Sequence, residues 1–92
     1  MIQASEIVVF RNWALNCMAG VIMPPAIRQL LKKEIEVVTL PMHMVMQCGT
    51  IQAKWNVYCN RVISAVISAL DDSAESNRIV TDLREKLTDR RI

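Results

Sequence analysis

Residues 41–70 read PMHMVMQCGTIQAKWNVYCNRVISAVISAL, and their reading decides the fold. Only Lys54 and Arg61 are charged in this stretch. Met44, Cys48, Ile51, Trp55, Tyr58, Val62, Ala65 and Ala69 recur in steps of four and three, which puts them on one stripe of an α-helix. Cys59, Ile63, Val66 and Leu70 form a second stripe beside it. A helix apolar over so much of its circumference must be covered on several sides. The pattern predicts a long, nearly uncharged central helix over about 41–70, wrapped by the rest of the chain and completed by a second chain. Gly49 marks the place where it would bend or break.

Three shorter helices are expected around it. Phe10, Trp13, Ala14, Cys17, Met18 and Val21 keep helical spacing and predict a first helix over about 4–22. Ser5 offers an N-cap, and Arg11, Asn12 and Asn16 make its narrow polar side. Gly20 and the Pro24-Pro25 pair end it. Pro25 suits the first turn of a second helix, over about 25–38. Ile27, Leu30, Leu31, Ile35 and Val38 line one side of that helix, and Arg28, Lys32, Lys33, Glu34 and Glu36 the other. Asp71-Asp72-Ser73-Ala74-Glu75 reads as a turn, with Asp72 and Glu75 at capping-box spacing. The last helix, about 74–90, carries Ile79, Val80, Leu83 and Leu87 on its apolar side. Arg78, Asp82 and Lys86 are spaced to pair across its turns. The fold class is therefore all-α, in one domain of 92 residues.

Of those residues, 52% are hydrophobic, slightly above the usual 45–50% or so. A small domain has proportionally more surface and should be more polar than average. The surplus apolar surface points to an interface with another protein or with a second copy of the chain. The net charge of +2 is too mild to imply nucleic acid by bulk attraction. The uncharged runs 12–27 and 37–53 are broken by prolines and amides, and both fall short of the roughly 20 apolar residues of a membrane span. Residues 13–23 lack the basic flank of a signal peptide.

Catalytic and metal chemistry are not expected. His43 and the cysteines Cys17, Cys48 and Cys59 show no metal-ligand spacing. The thiols sit among apolar neighbours, which suits small buried hydrophobes in a reducing, cytoplasmic setting. No acid stands near His43 in sequence to orient its imidazole, and no glycine-rich phosphate loop is present. Accordingly, no catalytic, cofactor or metal residue is assigned.

The positive signal is for protein binding. Met42, Met44 and Met46 fall on every second residue, so on a helix they spread around its circumference. Methionine is flexible and suits adaptable binding surfaces. Trp13, Trp55 and Tyr58 are the natural anchors of such an interface, although aromatics at helical spacing also serve as core. The expected function is a small helical protein–protein interaction module: a regulator, inhibitor or accessory subunit of a larger complex, such as one a phage directs at a host nucleic-acid-processing enzyme. Two alternatives come from other classes. One is a helical DNA-binding regulator using Arg28, Lys32 and Lys33 on phosphates. The other is a small membrane-active protein.

Overall fold

The computed structural model describes residues 4–39 and 50–89. Among them lie four helices and no strand: α1 (Ala4–Ala19), α2 (Pro25–Thr39), α3 (Ile51–Ala69) and α4 (Ala74–Thr88). The chain is all-α, as the periodicity requires.

Helix α1 stops three residues before the expected boundary. The Gly20 and Val21 amides turn back to the Cys17 and Met18 carbonyls, at 3.1 and 3.0 Å. These i→i+3 bonds tighten the last turn and end the helix. Ser5 lies inside α1, so it does not stand before the helix as a cap. After the turn, Val21 and Met23 tuck into the core. Pro24 accepts the first bond of α2 from the Arg28 amide at 3.0 Å. Pro25 then occupies the first helical position, where its missing N–H costs nothing.

Helix α3 begins at Ile51, behind Thr50 in an extended conformation. The Thr50 hydroxyl accepts from the Ala53 amide at 3.1 Å, which satisfies one of the open donors of the first turn. The helix therefore starts two residues after Gly49. The expected segment 41–49, with Met42, Met44, Met46, His43 and Cys48, lies outside the described residues.

The turn into α4 corrects the expected cap by one residue. Ser73, not Asp72, is the N-cap, and its hydroxyl accepts from the Ser76 amide at 3.1 Å. The Ser76 hydroxyl is buried and donates to Asp71 at 2.6 Å. Serine at this position lets Asp71 reach the cap from outside the helix, so the capping interaction runs through Asp71, Ser73 and Ser76. These hydroxyls, Ser76 first, hold the Asp71 carboxyl below its ordinary value. A depressed carboxyl stabilises the fold above its unfolded pKa, and that contribution is lost as pH falls through the depressed folded value. Ser76→Ala should move the Asp71 titration upward, toward the ordinary carboxylate range, in a carboxyl-detected NMR titration. An unmoved Asp71 titration would mean that Ser76 is not the source of the shift.

The core runs through all four helices. Phe10, Ala14 and Met18 from α1 meet Leu31 and Ile35 from α2, Trp55, Tyr58, Cys59, Val62, Ile63 and Val66 from α3, and Ile79, Leu83 and Leu87 from α4. Both apolar stripes of α3 are used, since the buried positions 55, 58, 59, 62, 63 and 66 draw on each. Phe10 stands 5.2 Å from Trp55 and 5.7 Å from Tyr58, and Trp13 meets Trp55 edge-on at 5.7 Å. Helices α1 and α3 each pack against both α2 and α4, while α2 and α4 barely meet. The four helices thus stand at the corners of a square, with α1 diagonal to α3 and α2 diagonal to α4.

Two guanidiniums fix the loop between α1 and α2. Arg28 donates to the Met18 carbonyl at 3.0 Å and the Val21 carbonyl at 2.7 Å. Arg78 bridges Asp82 at 3.0 Å and also donates to the Ile22 carbonyl at 2.6 Å. The backbone of this loop is tied from both sides, yet the Ile22 side chain is 82% exposed.

Candidate docking faces

The corners of the bundle differ sharply in charge. On α2, Lys32, Lys33 and Glu36 are exposed, and so are Val37 and Leu30, the latter expected on the apolar side. On α4, Glu75, Arg78, Arg84, Glu85 and Lys86 are exposed. The outward side of α1 carries Val8, Val9, Asn12, Asn16 and Ala19, with no charged side chain among them. At about 100° per residue these five lie within an arc of about 100°, so they share one face. The outward side of α3 carries Ala53, Asn56, Val57, Asn60, Ser64, Ile67 and Ser68, flanked by Arg61. Charged corners and nearly uncharged corners therefore alternate around the square. Folded surfaces normally intersperse charge of both signs, so two nearly uncharged helix faces stand out on this small bundle.

The α3 face has a large apolar residue at each end, Val57 at 37% exposure and Ile67 at 51%. At its C-terminal end it runs into a cleft of ≈ 300 Å³ lined by Ile67, Leu70, Asp71, Asp72, Ser76, Asn77 and Val80. The cleft floor is apolar, with Leu70 and Val80 half-buried, and its rim is acidic. Its shape exists because α3 stops at Leu70, where the Leu70 amide bonds to the Val66 carbonyl and the chain turns into the Ser73 cap. The slot thus sets an apolar floor beside two carboxylates, Asp71 and Asp72.

The sequence-derived anchors fall elsewhere. Trp55 and Tyr58 are buried within the chain, at 7% and 1% exposure, and Trp13 is half-buried against them. The surface of Trp55 and Tyr58 is already covered by this molecule, and that of Trp13 in part. The Trp13 indole N–H is buried and finds no acceptor among the described residues. Of the basic trio, Lys32 and Lys33 are exposed on α2. Arg28 is half-buried, with its guanidinium committed to two carbonyls. Arg28 therefore spans the α1–α2 loop and does not share one free basic face with the two lysines.

The described cysteines are free thiols turned toward the last turn of α4. Cys17 donates to the Lys86 carbonyl at 3.5 Å, and Cys59 to the Leu87 carbonyl at 3.9 Å. Burial raises the Cys17 pKa, and the nearby Lys86 charge partly offsets this. Both thiols thus act as weak donors to carbonyls at a helix end, where the helix itself supplies no donors. Among the described residues, no group of three His, Cys, Asp or Glu side chains could hold a metal ion. Among the described residues, no helix is long and apolar enough to cross a membrane. Comparison with family models, with curated proteins and with solved structures finds no match for this chain.

Sequence reasoning did not find the α1 face. Asn12 and Asn16 read as the narrow polar side of a largely covered helix. The signal that was present is the lack of charge from Asn12 to Ile27. It became legible as a surface feature only when α1 was placed at a corner.

Proposed function

We propose that this chain works by docking on another protein, as a regulator, inhibitor or accessory subunit of a larger assembly. The docking surface is the outward face of α3 together with the cleft at its C-terminal end. The observation that supports this reading is the exposure of Val57 and Ile67 on a helix face almost free of charge, beside charged faces on α2 and α4. Ala53 and Ser64 are small, so a partner helix or strand can come close to the α3 backbone. The acidic rim formed by Asp71 and Asp72 favours a partner segment in which an apolar anchor is followed by Lys or Arg.

The reading is tested by affinity capture from the native host with three chains: wild type, Ile67→Asp on the α3 face, and Lys33→Glu on the charged α2 corner. Ile67→Asp puts a charge where the anchor would dock and should weaken retention of the specific partner by about tenfold or more, as loss of a contact worth ~1.4 kcal/mol would. Lys33→Glu should retain the partner like wild type. A partner held equally by all three chains, or no specific partner at all, removes the proposal.

A further inference from the structure

We draw no further inference here: the strongest candidate, the exposed Ile22 side chain on the loop that Arg28 and Arg78 hold between α1 and α2, carries nothing, because the Arg78 charge beside it is already paired with Asp82 and nothing in the structure shows what covers that apolar side chain.

Discussion

Phe10→Ala should lower the free energy of unfolding by about 3–5 kcal/mol, the largest single loss expected in this chain. Phe10 is 4% exposed, and its ring bridges two others, at 5.2 Å from Trp55 and 5.7 Å from Tyr58. Truncation removes the ring contacts and leaves a cavity where α1 meets α3 across the diagonal of the square. That diagonal is the thinner of the contacts α1 makes, so few neighbouring atoms can move in to fill the space. A domain of this size has a total stability of about 5–14 kcal/mol, so the variant would sit near its folding threshold. Urea titration followed by tryptophan fluorescence measures it directly, because Trp13 and Trp55 both lie in the cluster. A loss under about 1 kcal/mol would show that the aromatic cluster does not join α1 to α3 as described.

Replacing Arg28 should come next, at about 1.5–3 kcal/mol for Arg28→Met. The guanidinium is half-buried and donates to two carbonyls just past the regular hydrogen bonding of α1, Met18 and Val21. Methionine keeps the apolar stem but leaves both oxygens short of a charged donor. Arg28→Lys should recover only part of the loss. A single ammonium is a point charge on a flexible stem and lacks the planar fork that spans two acceptors at fixed spacing. The same titration ranks the three chains, and equal stability for all three would mean the two bonds are exchanged for water at no cost. The result also bears on nucleic acid. A basic face built on Arg28, Lys32 and Lys33 would have to draw Arg28 away from the loop it holds.

Both variants rest on features of different legibility. Phe10 was readable as core, because Phe10, Ala14, Cys17, Met18 and Val21 recur at helical spacing and hydrophobic burial follows that spacing. Arg28 was readable only as the polar side of α2, with Lys32 four residues on. Its tie to Met18 and Val21 depends on how the chain turns after Gly20, and hydrophobic periodicity does not encode the path of a loop. The start of α3 was obscured for a related reason. The apolar period continues through Met44, Cys48 and Ile51, so Thr50 looked like an interior residue, although its hydroxyl caps the helix. In the turn before α4, Asp72 and Glu75 matched a known spacing. Ser73 was chosen instead, with the Ser76 hydroxyl joining it to Asp71.

Local patterning specified four helices, their buried stripes and a chain richer in apolar residues than its size calls for. Those properties follow from near-neighbour spacing along a helix, although the helix ends at Ala19 and Thr50 do not. Packing assigned the corners: α1 diagonal to α3, Trp55 and Tyr58 turned inward, and large apolar residues left exposed on every helix but α4, among them Val9, Val37, Val57 and Ile67, with Ile22 in the loop after α1. A helix with apolar residues on most of its sides can bury any of several arcs, and the side left facing water depends on which neighbours the loops bring to it.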